Sequence, residues 1–539
     1  MGLCILEPRG LANTTDAPDT AFLEEDKDVV HDAWSKHAPD DPGLVLVPTP
    51  SDDPMDPLNW SSIKKETCFA TLIFGTILAG TCGPLLSPAF VELVTILNEP
   101  IGKVAQLAGS LVLTIGVGSW WFAVIQQKFG TRPAFLLASL LQLVSMLWAG
   151  GSGANYPSLL ASRVVQGISM GCYFNCVPSA INHIFFVHQR GKRMAVWNIA
   201  LVGGVNIGPV ISAQIIQRQD FTFVFWWQGL AAGLLFLMTI AFVPEMYYDR
   251  SYYEAEIDAR RQRAGSFDTE KEKDEMAATA VIAPATVDIH HSQSKWAAYK
   301  PFSGSKSNQS IFIILFRPFL HVTSPAVVWG ALTFSVVFNL LPMVSVIYSQ
   351  LFSAPPYNFS TGAVGIISGI PPLIGTLIGT VLSGPLSDFS VKALAKRNSG
   401  VYEPEFRLIP MIPFCVLSGI GLFGWGLQTS SSWVVPAIFI AIFHIGVSAG
   451  TISCIGYVSD CARGTAAEAV ALVVLVKSLI GFLIILWINA WLAKVGTRMF
   501  MISLGSLAVA ISSLSLLAWV FGKRARTWYA KTKIGQLSA

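Results

Sequence analysis

Few side chains in this sequence can carry a charge inside an apolar stretch. Arg163 lies in Arg-Val-Val-Gln-Gly-Ile-Ser-Met-Gly (Arg163 to Gly171), His444 stands alone in a later apolar run, and Lys477 lies near the start of another. An ionisable side chain at the centre of a bilayer costs about 2.5 to 3.5 kcal/mol on insertion scales, so one placed there faces a cavity or a partner. Arg163 is therefore expected as a buried cation at an internal cavity, the competing reading being a stem that snorkels to the nearer interface. His444 titrates near neutral pH in water, yet a lone helical His also serves as a hydrogen-bonded packing residue. Lys477 falls within a turn or two of a helix end, where snorkelling is easy, and that is the expectation for it. The amides Gln166, Asn206, Asn339 and Asn489 also fall in apolar runs. With Arg163, His444, Trp120, Trp121 and Phe338 they are expected to line a largely apolar cavity of the kind that takes a hydrophobic small molecule. Each fits interhelical packing or lipid contact as well.

Other chemistries find little material. The eight cysteines are isolated and mostly inside apolar runs, which suits neither a disulfide framework nor a zinc site. Cys172 and Cys176 share a helix face without a third ligand nearby, so no metal site is expected. No His-rich, Ser/His or paired-carboxylate constellation appears in the apolar runs, so the chain is expected not to be an enzyme and to need no cofactor. The formal net charge of +3 gives no argument for nucleic acid.

These residues are positioned by a membrane protein. Charged residues make up 13% of 539 positions and hydrophobic ones 53%, against about 25% charged in a soluble domain. Runs of about 20 apolar residues can cross the hydrocarbon core as helices. Six precede a central polar stretch: Cys68 to Phe90, Ala105 to Ile125, Pro133 to Gly150, Leu159 to Val177, Ala195 to Ile216 and Phe223 to Val243. Six follow it: Ala326 to Leu351, Gly362 to Leu382, Leu408 to Leu427, Val434 to Cys454, Leu472 to Leu492 and Met499 to Phe521. The expectation is an all-α membrane protein of twelve transmembrane helices in two bundles of six. Its segments are an N-terminal tail (1–64) read as disordered, a first bundle (65–243), a polar linker (244–323), a second bundle (324–521) and a basic tail (522–539).

Orientation comes from the short loops, because Lys and Arg concentrate on the cytosolic side. Lys128 and Arg132, then Arg190, Lys192 and Arg193, then Lys392, Lys396 and Arg397 share one side with the linker and with Lys523, Arg524 and Arg526. Both termini are thus expected in the cytosol, with Lys494 and Arg498 an exception on the far side. The Asn-Phe-Ser triplet at Asn358 falls in an expected external loop, which makes it a glycosylation candidate.

Several short segments converge on one family. Arg163-Val-Val-Gln166-Gly167 and the glycine face of the fifth span, Gly204, Gly208 and Pro209, are joined by Gln127-Lys-Phe-Gly130-Thr-Arg132-Pro133 after span two. Gly384-Pro-Leu-Ser-Asp388 follows span eight at the equivalent place, and Asp56-Pro-Leu-Asn-Trp60, Pro244-Glu245 and Tyr402-Glu-Pro-Glu-Phe-Arg407 flank other spans. With these motifs in this order, the chain from about Asp56 to Phe521 resembles the fungal twelve-span drug:proton antiporter branch of the major facilitator superfamily. The resemblance implies a monomeric secondary carrier in the cell membrane that exports small hydrophobic or amphipathic compounds by alternating access, with protons as the coupling ion. It also implies a fifth-span motif that governs helix bending and a cytosolic gate at Gln127, Gly130, Arg132, Gly384, Asp388 and Arg407. Parallel repeats place a site near the midplane between the halves.

The departures qualify this. Gln127 stands where the gate motif usually has an Asp, and a neutral side chain cannot make the charge-assisted bond an Asp would make. No acidic side chain lies deep in spans one to six, although carboxylates are the usual proton carriers. Asp460 and Glu468 are expected near the cytosolic surface, paired with Arg463. The competing readings are an uptake or facilitative carrier for a nutrient, polyamine or cation, and a non-transporting membrane sensor. Cationic substrates favour cavity carboxylates, whose absence counts against polyamines.

Overall fold

A computed structural model describes residues 56–248, 299–302, 304–307, 309–398, 401–428, 432–462 and 465–532, with short pieces at 5–6, 21–22, 37–38, 41–45, 50–51 and 53. The acidic run Glu24 to Asp28, the stretch Glu270 to Glu275 and Arg463 lie outside these residues.

Among the described residues, ten helices are long and apolar enough to cross a bilayer. One of them, Ala466–Ala530, is two spans joined at Gly496, whose φ of 73° lies in the left-handed region that glycine adopts without strain. Tyr156–Ile184 is a further helix of span length; its inward face carries Ser162, Arg163, Gln166, Ser169 and Asn175, which lowers its hydropathy. The twelve spans of the expected all-α fold are thus present. Spans one to six are Ser62–Cys82, Ile101–Phe129, Thr131–Gly151, Tyr156–Ile184, Val187–Arg218 and Thr222–Phe242. Spans seven to ten are Pro325–Ser353, Thr361–Arg397, Met411–Leu427 and Val434–Asp460, and spans eleven and twelve lie on either side of Gly496.

Polar side chains start several helices. Asp56 accepts from Leu58 N at 3.0 Å and from Ser51 N and Oγ at 3.1 Å, ordering the entry to span one. Asn155 caps span four through Ser158 N at 3.1 Å, satisfying a backbone donor that has no intrahelical partner. Large apolar side chains such as Leu230, Leu237, Val381, Phe389, Trp487 and Leu516 are exposed on the outside, as a hydrocarbon environment requires.

Small residues set the closest approaches. A Cβ at Gly204 would lie 2.7 Å from the Ile77 carbonyl, and one at Gly208 would lie 2.7 Å from the Thr81 carbonyl, so span five rides on the backbone of span one. On span five's other side, a Cβ at Gly365 of span eight would lie 2.7 Å from the Pro209 carbonyl. Spans two and eleven form the second seam between the halves, where Gly116 meets Ser478 and Gly109 meets Phe482 and Ile485. Both seams run deep through the molecule.

The expected boundary at 521 falls inside a helix that continues to Ala530, because Lys523 and Arg526 turn inward instead of toward water. Lys523 pairs with Glu403 at 2.6 Å, and Arg526 with Glu403 at 3.0 Å and Glu405 at 2.8 Å, all four nearly fully buried. Near the other terminus, Leu6 N donates to Val520 O at 3.0 Å and Ile5 packs on the cluster of Val391, Ala395, Tyr402 and Phe406. A short helix, Ile311–Leu320, precedes span seven on the face that carries the inter-half linker, hereafter the linker face.

Candidate functional site

A narrow cavity, with room for about one water molecule, lies between the halves. Asn198 and Val202 of span five line it from the first half. Phe338 and Leu341 of span seven, Thr376 of span eight, and His444, Val447, Ser448 and Thr451 of span ten line it from the second. The wall is apolar with a few hydroxyl, amide and imidazole groups. Asn206 Nδ2 donates to Thr376 Oγ1 at 2.9 Å and Asn198 Nδ2 to Thr380 Oγ1 at 3.3 Å, so amides of span five clasp hydroxyls of span eight across the seam beside it.

The expected cavity residues separate into groups. His444 and Phe338 line the cavity, and Asn206 stands at its edge. The His444 Nδ1 lies 2.8 Å from the Ile440 carbonyl, one turn back on its own helix, which fixes the ring. Asn489 pairs with Gln350 at 2.7 Å, away from the cavity wall. Trp121 is exposed on the outside, and Trp120 donates to the Leu315 carbonyl at 2.9 Å, holding the helix Ile311–Leu320.

Arg163 lies inside the first half. Its Nη1 donates to the Cys82 carbonyl at 3.0 Å, at the last residue of span one, and to Gln166 Oε1 at 2.9 Å. Its guanidinium carbon stands 5.4 Å from the centre of the Phe225 ring, and Gln166 Nε2 donates to Ser145 O at 3.3 Å. The Arg163 and Gln166 pair therefore ties spans one, three, four and six together. The side chain is 1% exposed, so it does not snorkel.

Lys477 was expected to snorkel, and its placement corrects that. The helix begins at Ala466, ahead of the apolar run, so Lys477 lies about 16 Å along it at 1.5 Å per residue, close to the middle of a hydrocarbon core of about 30 Å. It is 2% exposed. Its Nζ lies 4.5 Å from the centre of the Phe338 ring and 5.6 Å from that of Phe174, one ring from each half. The Lys477 carbonyl accepts from Asn339 Nδ2 at 2.8 Å, so Asn339 pins the backbone of this turn. Depth counted from the start of the apolar run places Lys477 near the interface, but the helix starts earlier, at Ala466, with Glu468 in its first turn.

At the linker face, the segment Gln127 to Pro133 after span two closes on its own half. Thr131 N and Oγ1 donate to Glu245 Oε1 at 2.9 and 2.8 Å, and Arg132 N donates to Oε2 at 3.3 Å. Gly130, with φ 103°, has no room for a Cβ against that carboxylate. Arg132 donates to the carbonyls of Val243 and, at 3.1 Å, Ile240, latching the turn to the end of span six. Gln127 faces Glu468 of span eleven, and Glu468 pairs with Arg317 at 3.3 Å. Among the described residues the partner of Glu468 is therefore Arg317.

The equivalent segment of the second half is a chain of charges. Arg407 Nε donates to Asp460 at 2.7 Å and Nη1 lies 3.5 Å from Asp388. Burial, with Asp460 alongside, raises the pKa of the Tyr402 phenol, which donates to the same carboxylate. Gly384 has no neighbour within reach of a Cβ, so its role is not steric.

The likeness to known proteins follows this architecture. The chain is 25% identical to an uncharacterised MFS-type transporter of Schizosaccharomyces pombe, over 98% of this chain and 95% of the other. It is 23% identical to the efflux pump radE of Floropilus chiversii, over 90% and 85%. The solved structure of a D-xylose-proton symporter superposes with a TM-score of 0.57 at 16% identity, covering 86% of this chain and 99% of that one. The family model described as Major Facilitator Superfamily matches residues 72–485, so by that match and by its twelve-span architecture the chain belongs to the Major Facilitator Superfamily and is a membrane transporter.

Proposed function

We propose that this transporter exports small amphipathic compounds by alternating access, the two halves rocking about the cavity between spans five, seven, eight and ten. The observation that carries this is the cavity itself: lined by both halves, apolar along Val202, Phe338, Leu341 and Val447, and supplied with a few hydrogen-bonding groups. The efflux pump radE among the relatives supports the outward direction. The proposal includes residence in the plasma membrane as a monomer, both termini in the cytosol, coupling to protons, and glycosylation at Asn358, which is exposed in the loop after span seven.

Uptake of a polyamine or other cation is the weaker reading. Among the described residues the buried carboxylates are Asp56, Glu245, Glu403 and Glu405, and each lies at the linker face instead of beside the cavity.

An untargeted comparison of compounds retained in cells with and without the protein tests the direction. Export predicts that cells lacking it accumulate one or more amphipathic compounds; depletion of such compounds would reverse it. Collapsing the pH gradient across loaded vesicles should stop proton-coupled transport, and undiminished transport removes the proton.

A further inference from the structure

Lys477 is an unusual object. Among the described residues its ammonium makes no hydrogen bond and no ion pair, it is 2% exposed, and it sits at mid-depth between two aromatic faces. Cation–π contact compensates such a charge in part, but an isolated buried ammonium remains expensive. Other buried charges in the described chain have partners. Arg163 has a helix-end carbonyl and an amide, Lys523 and Arg526 have Glu403 and Glu405, and Arg132 has two carbonyls.

The two rings belong to different halves. Phe174 is on span four, whereas Phe338 and Lys477 are both on second-half spans. In the closed arrangement described here Lys477 is not itself on the cavity wall; Phe338 is, and it is the ring nearest the ammonium. On the alternating-access reading above, rocking the halves apart carries Phe174 away with the first half and leaves Lys477 with Phe338, beside the space that Phe338 borders. Of the remaining polar groups of that space, Asn198 keeps one amide N–H beyond its bond to Thr380 and Thr376 keeps its hydroxyl proton, whereas His444, Ser448 and Thr451 donate to carbonyls of their own helix; the buried carboxylates among the described residues are all at the linker face.

We propose that Lys477 receives the acidic head of the transported molecule, so that the substrates are amphipathic organic anions, typically carboxylates. The apolar body of such a molecule packs on Val202, Phe338, Leu341 and Val447 while its carboxylate replaces the Phe174 ring as the partner of the ammonium. The substrate then supplies the charge compensation that the described residues around Lys477 do not, which gives binding and closure a common cause. The inference rests on the amphipathic-substrate reading above and narrows it.

The test uses the purified full-length protein in lipid nanodiscs and three probes of one shape: 4-phenylbutyrate, 4-phenylbutyramide and 4-phenylbutylammonium. Binding is read by calorimetry. The carboxylate should bind at least tenfold more tightly than the amide, and the ammonium should bind more weakly still. Lys477→Gln should bring carboxylate and amide to within about twofold, and Lys477→Arg should retain part of the preference. Equal binding of the three probes by the wild type, a preference for the ammonium, no binding of any probe, or a carboxylate preference that survives Lys477→Gln would each overturn the proposal. The wild-type comparison involves no substitution, so misfolding of a variant cannot hide the answer. Binding equilibria do not depend on direction. A carrier that proves to import would therefore leave this result unchanged, while an exporter of neutral amphipaths would bind the amide as tightly as the carboxylate.

Discussion

Two buried cations, one in each half, are treated in opposite ways. Arg163 is held by the Cys82 carbonyl, by Gln166 and by the face of Phe225, so it staples four spans of the first half. Among the described residues Lys477 has only the rings of Phe174 and Phe338, and those rings come from different halves. A cation whose partners all move with it belongs to a rigid body. On the alternating-access reading proposed above, a cation whose partners belong to different halves is placed to feel their motion. Burial alone distinguishes nothing here; the ownership of the partners does.

The comparison breaks first on stability. Arg163→Ala removes two charge-assisted bonds and leaves Gln166 and a helix-end carbonyl short of a donor, besides opening a void. A loss of about 3 kcal/mol or more is expected, read as a lower melting temperature of the purified protein and less of it at the membrane. Lys477→Met removes a charge without leaving a partner unsatisfied. It should change stability by less than about 1 kcal/mol, or raise it, as when buried charges give way to apolar groups of similar volume. A tolerant Arg163 and a fragile Lys477 would reverse the assignment.

Span five sharpens the same contrast between seams that stay closed and seams that slide. Gly204 and Gly208 meet the backbone of span one within the half, whereas Gly203 faces only the Leu373 side chain of span eight at 3.7 Å. Gly204→Val should cost about 1–3 kcal/mol through overpacking, because the Ile77 carbonyl cannot move away without shifting span one. Gly203→Ala should be nearly neutral in melting temperature. A symmetric response of the two positions would mean that span five is not seated on span one.

How much of this was legible in the sequence depended on how local the cause was. The twelve spans follow from apolar runs, with Lys494 and Arg498 marking the break between spans eleven and twelve; the left-handed turn at Gly496 that makes the break is seen in the structure. The glycine face of span five announced close packing, because a repeated absence of Cβ has few other uses. What could not be read was partnership. Nothing near Arg163 in the chain points to Cys82, which is 81 residues away, nor does Lys523 point to Glu403. The basic segment after Phe521 looked like a solvated tail because its compensating acids lie in the loop after span eight. Trp120 shows the same limit from the other side: an aromatic in an apolar run suited a cavity, but its indole N–H is taken by the Leu315 carbonyl.

The smallest expected effect lies at the linker face, where Arg407 has a near and a far acid. Asp460 lies 2.7 Å from Arg407 Nε, is one-fifth exposed and also accepts from Tyr402; Asp388 lies 3.5 Å from Nη1 and is 71% exposed. Both look like gate carboxylates, and only geometry ranks them. Asp388→Asn should change stability by less than about 0.5 kcal/mol, since an exposed pair at that distance is screened by water and salt. Asp460→Asn should cost about 1–2 kcal/mol, because it weakens a charge-assisted bond to Arg407 in a partly buried site. If transport then falls with Asp388→Asn while melting does not, Asp388 gains a partner in another state of the cycle, because a pair this weak in the closed state has too little to lose there. An unchanged rate would leave Asp460 as the carboxylate that matters to Arg407.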